Sequence, residues 1–419
     1  EITRQLLDAG WAVVSMARRA PPLAHEHLHA LEVDLAVLPK VSLHDHLDGG
    51  LRVGTVLDLA REAGVEVPAD TVEGLAEWIA EHANGESLEK YLQVFALTTA
   101  VMQTREQLRR VAREFVEDLV ADGVVYGEIR WAPEQHLAGG LSLDEAVEAV
   151  QAGLDEAVEA ADAAGHVIRV GQLVTAMRHA DRAQEIAELA VRHREAGVVG
   201  FDIAGAEAGF PPSRFADTFT WLAAHHLPVT VHAGEGDGLD SVRSALVDGR
   251  ALRLGHGVRL AEDISVEYGG VDEDGEQLDE LTGIVDLGET AAWVRDRQIA
   301  LEVCPSSNLQ TGAVDAAAGI AGHPIDLLVQ LGFRVTVNTD NRLVSDVSLT
   351  DELYLLAETF GYSLSELLDL QLNAAEAAFL SVDEREDLAE ILVAGWGEVI
   401  SGDAVGPVLE ELDDEDEDD

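Results

Sequence analysis

Five positions in the chain carry side chains suited to gripping a divalent cation and acidifying water: His44, His46, His232, His256 and Asp340. His44 and His46 are two residues apart, so on an extended strand both imidazoles project from one face, joined by Asp48 if the extended geometry persists. Neutral imidazole suits zinc and similar ions, yet a His-x-His pair alone is explained as readily by buried, hydrogen-bonded histidines. The other three change that balance. His232 closes PVTVH, His256 closes RLGH, and Asp340 follows RVTVNT, so each stands at the end of an apolar run. A hydrolytic zinc site needs protein ligands plus an open position for water, whose pKa the ion lowers toward ~7. His44, His46, His232 and Asp340 can supply the ligands. His256 is then free to orient or deprotonate the water, and Glu235, just past His232, can donate or shuttle a proton. The plainer alternative for Glu235 is an exposed loop carboxylate.

Such a constellation requires strands whose carboxyl ends meet. From residue 38 onward, short β-rich runs alternate with longer helical patterns, as expected for parallel strands linked by helices. The strand candidates are 41–46, 124–131, 167–174, 198–203, 228–232, 252–256, 300–304 and 334–338. Eight such units assemble most simply as an α/β fold, a (β/α)8 TIM barrel, in which chemistry gathers at the carboxyl ends of the strands. Ser142 with Glu145, and Ser363 with Glu366, have the spacing of helix-starting capping boxes. Residues 51–105 read as a helical insertion after the first strand that could cover the barrel mouth. The acidic stretch 262–289 reads as a solvated loop or a short hairpin. The domain reading is an N-terminal extension over 1–39, a catalytic barrel over 40–400 and an acidic tail over 401–419, with disorder expected at 410–419.

Composition narrows the classes. The 419 residues carry 27 basic and 80 acidic side chains, a net charge of −53, and Lys40 and Lys90 are the only lysines. Such a field repels nucleic-acid phosphates and anionic membranes, so neither is expected as a partner. A salt-rich environment or simply a well-solvated surface accounts for it. Cys304 is the only cysteine, so no intrachain disulfide forms and the cysteine-based zinc signature of cytidine deaminases is excluded. With no long apolar run and no signal-peptide pattern, a cytoplasmic protein is expected. Residues 1–39, with candidate strands at 12–16 and 31–35, weakly resemble a short-chain dehydrogenase fragment. The glycine-rich phosphate loop is missing, so dinucleotide binding is not expected.

The motifs KVSLHDHLDGG, VVYGEIRWAP, VVGFDIAGAE, VTVHAGE, LGHGVRL, LEVCPSSNLQTGA and VNTDNRL, in that order over about 38–380, resemble the adenosine deaminase family of the amidohydrolase superfamily. The resemblance implies one zinc ion per chain, with His44, His46, His232 and Asp340 as its ligands. It implies hydrolytic deamination of adenosine and 2′-deoxyadenosine to inosine and 2′-deoxyinosine plus ammonia, a purine-salvage reaction. Water activated at the zinc attacks purine C6, with Glu235 as proton donor to N1 and His256 positioning and helping to deprotonate the water. On the substrate side it implies His46, Asp48 at the ribose 5′-hydroxyl and Gly205 as a backbone donor to N3. Leu88, Tyr91, Leu92 and Phe95 resemble the family's hydrophobic lid, although their spacing alone reads as core packing. Many members carry a second aspartate where this chain has Asn341, whose amide can still donate to purine N7.

The nearest rival is an adenine or other aminopurine deaminase of the same superfamily. Members acting on the free base tend to carry glutamate where this chain has Asp48, and the shorter acid leaves room for ribose. An oxidoreductase or a metal-free nucleoside binder is disfavoured by the full ligand set. The sequence leaves monomer and homo-oligomer equally open.

Overall fold

The computed structural model describes residues 13–16, 28–31, 35–83, 88–268 and 283–400. Eight parallel strands alternate with helices: β1 (Lys40–His46), β2 (Val124–Trp131), β3 (Arg169–Met177), β4 (Val198–Ala204), β5 (Thr230–Ala233), β6 (Arg253–His256), β7 (Ala300–Val303) and β8 (Val335–Val337). They pair as two four-stranded sheets in the orders β1-β2-β3-β4 and β5-β6-β7-β8. The expected α/β fold of eight parallel strands and intervening helices is present, its hydrogen-bonded ladder running as two four-stranded half-rings that meet at two seams.

Each seam holds one isolated parallel bridge, Phe201 with Val229 and Asp45 with Asp340. Strand length and local chemistry explain this. The second sheet's strands span only three or four residues, and Pro228, whose carbonyl accepts from Phe201 N at 3.0 Å, has no N–H to return. At the other seam a side chain takes over from the ladder. Asn338 Oδ1 accepts from Leu43 N at 2.9 Å and His44 N at 3.1 Å. Beyond it, Asp340 N donates to His44 O at 3.0 Å and His46 N to Asp340 O at 2.7 Å.

Alternation along β1 decides what faces inward. Val41 and Leu43 point outward into a cluster with Ala374, Ala375, Leu388 and Leu392. These belong to the helices Leu364–Ala377 and Val382–Ile400. Each fully buried aliphatic side chain contributes roughly 1.5–3 kcal/mol, and the two-residue period then turns His44 and His46 the other way. A one-residue slip of β1 would expose the leucine to the polar interior and bury the histidines among alanines. Both anticipated capping boxes form, at Ser142/Glu145 and Ser363/Glu366, and Thr104/Gln107 and Ser348/Asp351 add two more.

The insertion after β1 comprises the helices Val53–Ala63, Val72–Ala83 and Leu88–Ala100. Phe95 packs half-buried against the main core, while the side chains of Leu88, Tyr91 and Leu92 lie outside the described residues. Of the two possibilities for 262–289, the hairpin is found: Ile264–Tyr268 pairs antiparallel with Gly283–Leu287. Near the N-terminus Val13–Met16 pairs in parallel with Leu28–Leu31. The second strand thus precedes the expected 31–35, and Leu35 instead begins a 3-10 turn that buries it. The acidic tail 401–419 lies outside the described residues. Among the described residues no helix is long and apolar enough to cross a membrane.

Candidate active site

Four of the five expected groups converge from both half-rings, His44, His46 and Asp340 beside one seam and His232 from β5. His46 Nε2 lies 3.3 Å from Asp340 Oδ1 and 3.2 Å from His232 Nε2, and His44 Nε2 lies 3.4 Å from the same Asp340 oxygen. An ion held tetrahedrally at about 2.0–2.1 Å has ligand atoms about 3.3–3.4 Å apart, so the observed edges fit one. His44 Nε2 is buried with no hydrogen-bond partner among the described residues, the state expected of a lone pair reserved for a cation.

His256 also belongs to this neighbourhood. Ligand atoms of His44, His232, His256 and Asp340 lie within 4.8 Å of one another, so proximity alone admits either His46 or His256 as the fourth group. Burial lowers the pKa of His232, and those of His46 and His256 well below the usual imidazole value, leaving neutral rings. Burial opposes ionisation of Asp340, but the surrounding histidines outweigh it and hold the carboxyl well below its usual range. His256 and Asp340 adopt left-handed backbone, with φ of 62° and 61°. For residues with a Cβ this costs on the order of 1–3 kcal/mol each, and it recurs where structure serves chemistry.

Behind the cradle lies a buried ion network that sequence reading did not assign. His44 Nδ1 is 2.9 Å from Glu302 Oε2, and His232 Nδ1 is 2.9 Å from Asp202 Oδ2. Arg130 links these carboxylates, donating to Glu302 at 2.7 Å and Asp202 at 3.1 Å, while Arg253 donates to Glu302 at 2.6 Å. Burial opposes the charge on Glu302, but Arg130 and Arg253 hold its pKa well below normal. Charged letters inside otherwise apolar strands, in EIRW, FDIA and LEV, were the available signal. Ser307 Oγ completes the shell, donating to Asp340 Oδ2 at 2.6 Å.

Glu235 lies beside the cradle, with Oε2 3.4 Å from His256 Nε2. Burial first, then the carboxylates of Asp340 and Glu207, push its pKa up to about 8, so it is an acid at neutral pH. Its loop is held by a second carboxylate the sequence reading left without a role. Glu207 accepts from four successive backbone amides: Gly234 and Gly236 at 2.7 Å, Glu235 and Asp237 at 3.1 Å.

The remaining expected groups surround this centre. Asp48 is buried on the turn after β1, its Oδ1 lacking a hydrogen-bond partner among the described residues. Its pKa is raised to about 6, chiefly by burial. Gly205 follows β4 with φ of 95°, a conformation that favours glycine. Asn341 is buried against Gly49, where an added Cβ would lie 2.0 Å from Asn341 Oδ1. Only glycine at position 49 lets the HLDGG turn and Asn341 share that space.

A histidine–carboxylate cradle at the ends of parallel strands, with a neutral acid beside it, defines a hydrolytic enzyme of the metal-dependent amidohydrolase kind. The sequence pattern of the adenosine deaminase family matches residues 39–394, and the chain belongs to that family. It is 52% identical over 354 residues to an adenosine deaminase of Mycobacteroides abscessus, covering 84% of this chain and 93% of that one. It is likewise 52% identical over 365 residues to adenosine deaminase 1 of Streptomyces coelicolor, covering 87% and 88%. Among solved structures, an adenine deaminase from Arthrobacter aurescens superposes with a TM-score of 0.70 at 25% identity, covering 85% of this chain and 98% of that chain.

Proposed function

We propose that this site deaminates adenosine and 2′-deoxyadenosine by hydrolysis, with one zinc ion held by His44, His46, His232 and Asp340 in a catalytic domain spanning 40–400. Bound in that cradle, zinc supplies a lowered water pKa, toward ~7, and so a nucleophile at neutral pH. The protein's own groups do the rest. His256 faces the cradle and orients the water. Glu235 gives its proton to purine N1, drawing electron density from the ring as the water oxygen adds to C6, and one proton of the water restores Glu235. The tetrahedral carbon then collapses as its C6–N bond breaks, the added hydroxyl passing its proton to the amino group, so that ammonia leaves and inosine remains. Asp48 has an unmet buried acceptor for the ribose 5′-hydroxyl, Gly205 a backbone donor for N3, and Asn341 an amide for N7. His46, itself part of the cradle, has Nδ1 3.9 Å from Asp48 Oδ1, which turns it toward the proposed substrate side.

The observation that carries this reading is the neutral acid: a carboxyl raised to about 8 within reach of the cradle. Glu235→Gln keeps the shape and removes the transferable proton. Most adenosine turnover, followed by the loss of adenine-band absorbance, is expected to vanish while metal content stays at one per chain. Near-parental turnover would sink the assignment. Assaying adenosine, deoxyadenosine, adenine and AMP side by side tests the substrate, and exclusive turnover of adenine would overturn the nucleoside reading.

A further inference from the structure

The histidines of the site differ in what faces Nδ1. For His44 and His232 it is a carboxylate, Glu302 at 2.9 Å and Asp202 at 2.9 Å. A carboxylate only accepts, so the proton sits on Nδ1 and the Nε2 lone pair points into the cradle. His256 Nδ1 instead meets the amide Nδ2 of Asn308 at 3.0 Å. Which end of that amide faces His256 is settled at the far end of the chain of bonds. The backbone N–H of Ile325 can only donate, and it lies 3.0 Å from His323 Nδ1. His323 therefore accepts at Nδ1 and carries its proton on Nε2, which lies 3.3 Å from Asn308 Oδ1. With its oxygen committed to His323, Asn308 turns its NH2 toward His256. His256 Nδ1 accepts, leaving the ring proton on Nε2, the atom 3.4 Å from Glu235. His256, Asn308 and His323 are all buried.

We infer that the chain from Ile325 through His323 and Asn308 fixes His256 in its Nε2–H tautomer, so that His256 is barred from the ligand set and holds the reacting water by donating to it. Asn308 and His323 are positioning residues. The inference rests on the metal-dependent deaminase reading and sharpens it: of the two ligand sets that proximity admits, a protonated Nε2 leaves only the one containing His46. It also replaces deprotonation of water by His256 with a donated hydrogen bond that aims the oxygen.

The test uses the full zinc-loaded chain with 15N-labelled histidine and long-range 1H–15N spectra, the His256 signals being assigned by their loss in His256→Ala. The expected result is an unprotonated Nδ1 and a protonated Nε2 at His256. An unprotonated or metal-bound Nε2 there overturns the inference. Asn308→Asp places an acceptor at Nδ1, and its expected effect is reversal of the His256 tautomer with kcat down by about tenfold or more, KM and zinc content nearly unchanged. A folded Asn308→Asp enzyme with the parental tautomer and kcat also overturns it. If the chain fails to turn over adenosine while His256 shows the Nε2–H form, the substrate reading falls and the hydrogen-bond chain stands.

Discussion

Removing the Glu207 carboxylate tests whether the acid of the site is held in place or merely nearby. Glu207 gathers four consecutive amides of the loop that carries Glu235. Of these only the Gly234 N–H is bonded in a buried setting, and an orphaned buried donor costs about 1–3 kcal/mol. The other three are partly exposed and can be rehydrated, so Glu207→Ala is expected to destabilise the protein by roughly 2–4 kcal/mol in urea unfolding. Glu207→Gln costs less, because its amide oxygen can serve the three donors that share Oε2 while its NH2 opposes only Gly234. Activity responds more strongly than stability. A displacement of about 1 Å of a reacting group costs on the order of 100-fold, and that is the loss in kcat/KM expected for the alanine variant. There is a charge effect as well. Burial and Asp340 rank ahead of Glu207 in raising the Glu235 pKa to about 8, so removing the third contributor lowers that pKa without restoring a normal one. In the proposed mechanism turnover needs protonated Glu235. Its alkaline limb therefore moves to lower pH in both variants, measured as kcat/KM for adenosine against pH. An alanine variant with parental kcat/KM and an unmoved alkaline limb would refute the argument.

Two further outcomes follow from the buried charges. Glu302→Gln leaves Arg130 and Arg253 facing a neutral amide and loosens the grip on His44 Nδ1; a stability loss of about 3–5 kcal/mol and a 10- to 100-fold weaker metal affinity are expected, read by thermal unfolding and chelator competition. Unchanged affinity would show that the network does not orient the ligand. Glu352 is buried, accepting from Ser306 N at 3.2 Å, and burial pushes its pKa up to about 8. Because the folded value exceeds the unfolded one, the stabilisation from its protonated form is complete below the usual carboxyl range and is lost as pH rises through about 8. Glu352→Gln is therefore expected to flatten the fall in stability between about pH 5 and 9 and to gain up to about 5 kcal/mol over the parent at the alkaline end; identical pH–stability curves would contradict this.

The sequence made legible those features that depend on periodicity and on strand ends. Alternation in KVSLHDH placed His44 and His46 on one face, and all eight ring strands lie within a few residues of their expected places. The seams were not legible: one depends on a side chain, Asn338, doing a backbone's task for residues 294 and 295 positions away, and the other on a single bridge beside Pro228. Glu302, Asp202 and Arg130 stood within recognised motifs, yet their roles exist only once three strands bring them together. The Asn308–His323 contact likewise joins two loops with no shared pattern. Periodicity reports which way a residue points; it does not report what waits there.

The cradle takes His44 and His46 from the first half-ring, and His232 from the second with Asp340 just beyond its last strand. On the proposed ligand set, a cation among them would act as a rivet between the two halves of the ring. By mass action, free cation then sets not only how many molecules can react but how firmly the two halves stay joined, and thermal resistance becomes a gauge of occupancy.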